Sequence, residues 1–137
     1  MCARGSRLRR DAGAAAVEFV LVSILLVMLL LAVLQVAVYF YARNVAASSA
    51  ADGARYAASA GVDPRAGGVR ATRLIGAGLD QADAAAISCV GLPGRDAGSL
   101  LDVETVRCTG RIRVLFSPMP FPLRIDVSSS VLKERMP

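Results

Sequence analysis

The feature that most constrains this chain is a long apolar run near its N-terminus. Residues 19–42 read FVLVSILLVMLLLAVLQVAVYFYA and contain no charged side chain. As an α-helix the run measures about 36 Å, which is enough to cross the hydrocarbon core of a bilayer with some tilt. A secretory signal peptide has an apolar region of only about 7–15 residues. The run therefore predicts one transmembrane helix.

The charges that flank this span predict its direction. Cytoplasmic flanks of membrane spans carry an excess of Lys and Arg. Four arginines precede the run, namely Arg4, Arg7, Arg9 and Arg10. We therefore expect a cell-membrane protein with its N-terminus in the cytoplasm and everything after Arg43 outside. The aromatic residues at 39–41 suit the outer interface, where they would contact membrane lipid.

Composition and charge exclude several classes of function. The chain has no histidine, which excludes imidazole acid–base chemistry and histidine metal ligation. Its formal net charge is +5, but the cations beyond the span are dispersed among acidic residues and form no basic stripe with aromatics. We expect no nucleic-acid partner, no metal site and no cofactor.

Enzymatic activity has no support in the sequence. The serines at 128–130 have no base partner, and the acidic residues form no spaced pair in an apolar setting. The GAG at residues 76–78 is too short to cradle a phosphate group. We therefore expect a protein that is not an enzyme.

One acidic residue lies just inside the apolar part. A charged side chain costs roughly 3 kcal/mol at the centre of a span and less near its edge, so Glu18 requires an explanation. One interpretation is that its carboxylate extends to the headgroups. The preceding residues offer another, because Gly13 is followed by AAAVEF. If the chain is cut between Gly13 and Ala14, Glu18 becomes the fifth residue.

This pattern resembles the class III signal sequence of the type IV pilin superfamily. Such sequences have a short basic leader, a glycine before the cut and a glutamate at the fifth position of the mature chain. The longer pattern, GAAAVEFVLV continuing to ARNVAASSAADGARYAASAG, is similar to the TadE-like pseudopilins of the tight-adherence (Flp pilus) system. The resemblance covers roughly residues 9–61. Asp11 departs from it, because it interrupts the basic leader.

The resemblance implies a role for each residue of the motif. A prepilin peptidase would cut after Gly13, and Ala14 would become the free amine. Glu18 would pair with the N-terminal amine of a neighbouring subunit. The implied function is that of a minor pseudopilin supporting assembly of a Flp-type pilus or a related secretion filament. Its partners would be the peptidase, other pilin or pseudopilin subunits and the tight-adherence assembly machinery.

Two other interpretations remain open at this point. The chain is an uncleaved single-pass membrane protein whose outer domain binds a cell-wall or membrane partner, in which case Glu18→Gln leaves localisation and function unchanged. Alternatively, NVAAS at residues 44–48 imitates a signal-peptidase site, and a small protein is secreted after cleavage behind Ala47.

The predicted fold class is α+β, in three parts. Residues 1–13 form a basic cytoplasmic leader, residues 14–61 one long helix that extends beyond the membrane, and residues 62–137 a small extracytoplasmic domain with a short helix and an antiparallel sheet. In the long helix small residues recur every fourth position, in the rows Ala46, Ala50, Ala54, Ala58 and Ser49, Gly53, Ala57, Gly61. These rows permit close helix contact, although alanine's helix propensity explains them equally well.

A second helix is predicted to start at Asp63-Pro64 and to run to about Ala77. Proline suits the first helical position. We expect Val69, Leu74 and Ile75 to face inward along this helix. The segment GAGLDQADA at residues 76–84 is predicted to be a loop.

Beyond residue 85 the apolar pattern changes to a period of two, which indicates strands. AISCV, LLDVETVRC and RIRVLF are predicted strands, the last two joined by a hairpin turn at Thr109-Gly110. In RIRVLF, Ile112, Val114 and Phe116 would share one face. The three prolines of SPMPFP predict a loop, and LRIDVSSSVL a final strand with Leu123, Ile125, Val127 and Val131 on one face.

The cysteines bear on the stability of this small domain. Cys2 lies in the leader and would leave with it, whereas Cys89 and Cys108 lie outside the membrane, in an oxidising compartment. A disulfide closing a loop of about twenty residues would contribute roughly 3 kcal/mol. We predict this bridge, and two free buried cysteines are the alternative.

Overall fold

The computed structural model describes residues 5–96, 98, 101–113 and 123–134, with side chains from residue 13 onward. It contains three helices, α1 (Gly5–Ala58), α2 (Pro64–Gly78) and α3 (Gln81–Ala85). Three strands follow, β1 (Ile87–Arg95), β2 (Asp102–Ile112) and β3 (Leu123–Leu132). The α+β fold class predicted from the sequence is confirmed.

The chain divides into two compact units, Met1–Val36 and Ala37–Pro137. The first consists of the N-terminal part of α1, which is helical from Gly5 and therefore through residues predicted as leader. The second unit, called the head below, contains the rest of α1 and every other element. Within the head α1 ends at Ala58, and Gly61 has φ 79°, which favours glycine.

Helix α2 begins as predicted, at an aspartate cap followed by proline. The Asp63 carboxylate accepts a hydrogen bond from the Arg65 backbone N–H at 2.8 Å. Its inward face, however, differs from the prediction. Ile75 is fully buried, but Val69 is 63% exposed and Leu74 37% exposed. The inward positions are instead taken by Gly67, Gly68 and Ala71, because the helix lies too close to its neighbours for larger side chains.

The segment after α2 is more helical than predicted. Residues 76–78 belong to α2, and residues 81–85 form α3 rather than a loop. Asp80 caps α3, since its carboxylate accepts a hydrogen bond from the backbone N–H of Asp83 at 3.1 Å. Aspartate favours such caps because its oxygen satisfies an N–H that has no partner within the helix.

The sheet is an antiparallel meander in the order β1-β2-β3. The predicted hairpin at Thr109-Gly110 is wrong, because β2 runs unbroken through both residues. Gly110 lies directly opposite Ile87, and a Cβ atom at Gly110 would collide with the carbonyl oxygen of Ala86. Glycine is therefore required here because the backbone of β1 lies so close, and not because the chain turns. The predicted Val114, Phe116 and SPMPFP positions lie outside the described residues.

The core of the head lies between the inner face of the sheet and the two long helices. Helix α1 contributes a row of buried alanines, α2 contributes Ala71 and Ile75, and β3 presents Ile125, as predicted from its period of two. Of the two predicted rows of small residues, Ala46, Ala50, Ala54, Ala58, Ser49, Gly53 and Ala57 are buried, whereas Gly61 is exposed beyond the end of α1. They are used within the chain, against α2 and the sheet.

Candidate processing and pairing site

The predicted processing site lies in the N-terminal unit, on a regular stretch of α1. Gly13 and Ala14 are both exposed. A Cβ atom added at Gly13 would meet no other atom within 4 Å, so packing within the chain does not require a glycine there. A glycine inside a helix costs roughly 0.5–1 kcal/mol relative to alanine. Gly13 therefore lowers the stability of the helix, and no packing contact within the described chain requires it.

Glu18 lies one helical turn beyond Ala14, on the same face of α1. Its side chain is exposed, and no hydrogen bond or ion pair reaches its carboxylate from the described part of the chain. It is the last acidic residue before the uncharged run of residues 19–42. The carboxylate is therefore available to a partner outside the chain.

The surface around and beyond Glu18 is apolar on all sides of the helix. Phe19 is 72% exposed, and most of the leucines and valines that follow are about half exposed or more. The helix is long and apolar enough to cross a membrane, and its most apolar window is not buried inside the protein. A helix that is apolar all round needs lipid or other helices as its surroundings. The single N-terminal apolar helix thus indicates a membrane anchor.

Ser23 is the first polar side chain inside the span. Its hydroxyl donates a hydrogen bond to the Phe19 carbonyl oxygen, four residues earlier, at 2.8 Å. Serine hydroxyls commonly return to the helix backbone in this way. Ser23 is therefore satisfied within α1, which leaves Glu18 as the distinctive polar group at this end of the helix.

The two predicted cysteines meet in the head, within a different unit from Gly13, Ala14 and Glu18. Cys89 of β1 and Cys108 of β2 are directly opposite in the antiparallel register. They form a disulfide with their Cα atoms 4.0 Å apart, which confirms the predicted bridge. Cys108 is completely buried on the inner face of the sheet. The site residues thus form two separate groups, one for processing and pairing and one that ties the sheet.

Close contacts between glycines are the main structural feature that sequence reasoning missed. Gly68 of α2 lies against the backbone of β1, where its Cβ atom would be 2.8 Å from the Gly91 nitrogen. The Gly67-Gly68 pair looks unfavourable for a helix by propensity alone. Gly67 faces the small residues of α1 and Gly68 faces the backbone of β1, so neither position has room for a side chain.

Charged pairs hold the periphery of the head. Arg70 of α2 donates from Nε to the Asp52 carboxylate of α1 at 2.6 Å and lies over the ring of Tyr56. On the outer face of the sheet Arg107 donates to both carboxylate oxygens of Asp126. This bidentate contact holds the pKa of Asp126 below its ordinary value.

One ion pair has a buried carboxylate, and the sequence analysis did not predict it. Glu104 of β2 is only 1% exposed, and its Oε1 accepts a hydrogen bond from Nζ of Lys133 at 2.7 Å. Its other oxygen, Oε2, is buried without a hydrogen-bond partner in the described residues. Lys133 is the only lysine in a chain whose other basic residues are all arginines. This was the feature of the sequence that could have pointed to a special role for Lys133.

Comparison with known protein families gives a match for the N-terminal part of the chain. Residues 13–55 match the model of the TadE-like protein family, and the resemblance stated from the sequence is confirmed. The match begins at Gly13, includes Glu18 and ends in the row of small residues that packs in the head. No curated protein and no solved structure matches the chain significantly. The family implies a structural, membrane-bound component associated with the Tad pilus.

Proposed function

We propose that this TadE-like protein is a minor pseudopilin that supports assembly of a Flp-type pilus or a related secretion filament. It is made as a prepilin, cut between Gly13 and Ala14, and held in the membrane by residues 19–42. One observation carries the proposal: Glu18 is exposed, has no ion-pair or hydrogen-bond partner among the described side chains, and directly precedes the uncharged run of residues 19–42. An open glycine that the fold does not need precedes Glu18 by five residues.

Cleavage creates the partner that Glu18 lacks. After the cut Ala14 carries a free α-amino group, and the amine of one subunit pairs with the Glu18 carboxylate of the next. Bringing both charges into a low-dielectric region costs several kcal/mol per ion, and their attraction offsets this cost only when the pair forms with good geometry. The pair therefore favours correctly registered subunits over other helix contacts.

Orientation follows from the charges that flank the span. The N-terminal arginines keep the leader on the cytoplasmic side, where a prepilin peptidase reaches the Gly13–Ala14 bond. The head then lies outside the cytoplasm, where conditions oxidise thiols. The Cys89–Cys108 bridge supports this placement, because disulfides persist in such compartments.

The role is structural rather than enzymatic. The partners are the prepilin peptidase, other pilin or pseudopilin subunits, the tight-adherence assembly machinery and membrane lipid. The exposed apolar surface of α1 supports these contacts, since filament subunits of this kind associate through their N-terminal helices in place of lipid. No cofactor is needed for such a role.

The first test is the N-terminus and intact mass of the membrane-bound protein, with and without a co-expressed prepilin peptidase. We expect a chain that begins at Ala14 only when the peptidase is present. Gly13→Val should block processing. Gly76→Val is the matched control, because Gly76 is also a helical glycine with no atom within 4 Å of an added Cβ. A chain that keeps its leader beside an active peptidase would favour the uncleaved, anchored binding protein instead.

The second test concerns pairing. Glu18→Gln preserves the side-chain volume and removes the charge, so we expect normal processing and loss of co-assembly with the other pilin subunits. Ser23→Ala is the control, since the Ser23 hydroxyl bonds only to its own helix. Co-purification of the processed subunit with cross-linked filaments measures the outcome, and unchanged recovery of Glu18→Gln would rule out the pairing role.

A further inference from the structure

Two tyrosines connect α1 to the same end of the head. The Tyr39 hydroxyl lies 3.4 Å from the carbonyl oxygen of Arg124, at the start of β3. The Tyr41 hydroxyl donates to the carbonyl oxygen of Gly78, at the end of α2, at 3.0 Å. Tyrosines at the end of a span mark the boundary between lipid and water. With residues 19–42 as the span, as the proposed function has it, these contacts bring this end of the head to the membrane surface.

Arginines are concentrated at this end of the sheet. Arg111 of β2 and Arg124 of β3 are directly opposite in the register, and both side chains are exposed on the outer face. Arg113 follows two residues beyond Arg111, and Arg43 lies one turn beyond Tyr39 on α1. We call these four residues the basic edge. Like charges directly opposite one another destabilise a sheet unless an anion lies between them.

Among the described residues, Asp126 is a carboxylate that lies beside the Arg111–Arg124 pair. None of the four guanidinium groups takes part in an ion pair within the described ranges. Arg107 donates hydrogen bonds to both oxygens of Asp126, and the charge of Arg124 lowers the pKa of this carboxyl further. One carboxylate thus faces three arginines, which leaves an excess of positive charge. Together with Asp126, Arg111 and Arg124 line a shallow depression between β2 and β3. The basic edge is therefore open to an external anion.

We propose that the basic edge binds the phosphate groups of anionic lipids in the membrane that α1 spans. Arginine's planar group matches phosphate geometry, and basic side chains near an anionic membrane are attracted to it. The interface is continuous with the anchor, because Tyr39 and Arg124 are in contact.

The test uses the full chain in nanodiscs of phosphatidylcholine with increasing phosphatidylglycerol. A trace of lipid carrying a spin label on its headgroup broadens the NMR signals of nearby backbone amides. We expect the Arg111 and Arg124 amides to broaden and saturate as phosphatidylglycerol rises, while Asp102 at the far end of the sheet does not. Arg111→Gln with Arg124→Gln should need about fivefold more phosphatidylglycerol or fail to saturate.

Two further variants separate charge from position. Arg55→Gln with Arg65→Gln removes the same charge from exposed positions at the other end of the head and should leave the titration unchanged. Arg111→Lys with Arg124→Lys keeps the charge and should retain most of the effect. Should the Gln variant fail to fold, added salt must weaken the titration of the unmodified chain, because surface attraction is screened.

The outcomes distinguish this proposal from the function on which it rests. Equal curves for the Gln variant and the unmodified chain, or broadening that is independent of phosphatidylglycerol, would overturn the lipid-binding edge. In that case broadening at Tyr39 and Tyr41 would still support the span. No broadening at Tyr39 and Tyr41 would overturn the span itself, and both proposals with it.

Discussion

Gly53 of α1 and Gly67 of α2 lie so close together that neither has room for a methyl group. A Cβ atom on Gly53 would be 2.5 Å from the carbonyl oxygen of Gly67, and one on Gly67 would be 2.6 Å from the carbonyl oxygen of Gly53. The obstacle on each side is backbone, which cannot rotate away as a side chain can. This reciprocal contact sets the distance between the two long helices of the head.

The glycine contact predicts a sharp difference between two Gly→Ala substitutions. Gly53→Ala should lower the free energy of unfolding of the head by about 1–3 kcal/mol, because the helices must separate to admit the methyl group. Gly76→Ala should leave it unchanged or raise it by up to about 1 kcal/mol, since the site is open and alanine favours helix. Hydrogen exchange of the buried Val106 amide measures both, and equal effects would contradict the contact.

Because the Glu104 carboxylate is buried, we expect removal of Lys133 alone to destabilise the head more than removal of both Lys133 and Glu104. Lys133→Met leaves the enclosed Glu104 carboxylate without its donor, and we expect a loss of about 2–3 kcal/mol in the same measurement. The double variant Glu104→Met with Lys133→Met should recover much of this loss, because no buried charge remains. Arg55→Met, an exposed cation, serves as the control. A double variant that is less stable than Lys133→Met would contradict this account.

Counting thiols tests the disulfide and the cleavage in one experiment. In denaturant without reductant the uncleaved chain should label only at Cys2, and the processed chain should not label at all. After reduction Cys89 and Cys108 should label in both forms. Reduction should also lower the free energy of unfolding by about 3 kcal/mol, because it releases a closed loop. Labelling of Cys89 in the unreduced chain would show that the bridge does not form in the cell.

The Arg107–Asp126 contact predicts acid sensitivity of the sheet. Because the folded state lowers the pKa of Asp126, the unfolded chain binds a proton more readily. The stabilisation is therefore complete above the ordinary carboxyl pKa and is lost as pH falls through the lowered one. Asp126→Asn should destabilise the head at neutral pH but match the unmodified chain in strong acid. Arg107→Gln should show the same convergence, and a difference that persists in acid would have another cause.

Local patterns predicted most elements of this fold. The apolar run, the Asp63-Pro64 cap and the alternation in β3 each depend on residues close in sequence, and the structure shows the helix, the cap and the strand. Gly13 and Glu18 were proposed in the same way, because their spacing lies within one short stretch. Local patterns could not predict which surfaces of the helices and the sheet pack against each other. Val69 is exposed because α2 turns its glycine face towards β1. This close packing depends on both segments and cannot be predicted from either one alone.

The misread glycine shows the same limit. Thr109-Gly110 has the composition of a turn, and from sequence alone a turn is the simpler explanation. The actual reason is the carbonyl oxygen of Ala86, which directly precedes Ile87, the residue opposite Gly110. This neighbour is far from Gly110 in sequence and comes close only when the two strands pair. The Glu104–Lys133 pair likewise joins residues whose proximity depends on the pairing of β2 with β3.

The position of the disulfide has a consequence for how this sheet is aligned. Since side chains alternate between the two faces, a slip of one residue between β1 and β2 would turn Val106 and Ile112 out towards water. The bridge joins two residues that are directly opposite, so such a slip cannot occur while the bond is intact. The disulfide thus keeps β1 and β2 in their correct register even while the hydrogen bonds between the strands open transiently.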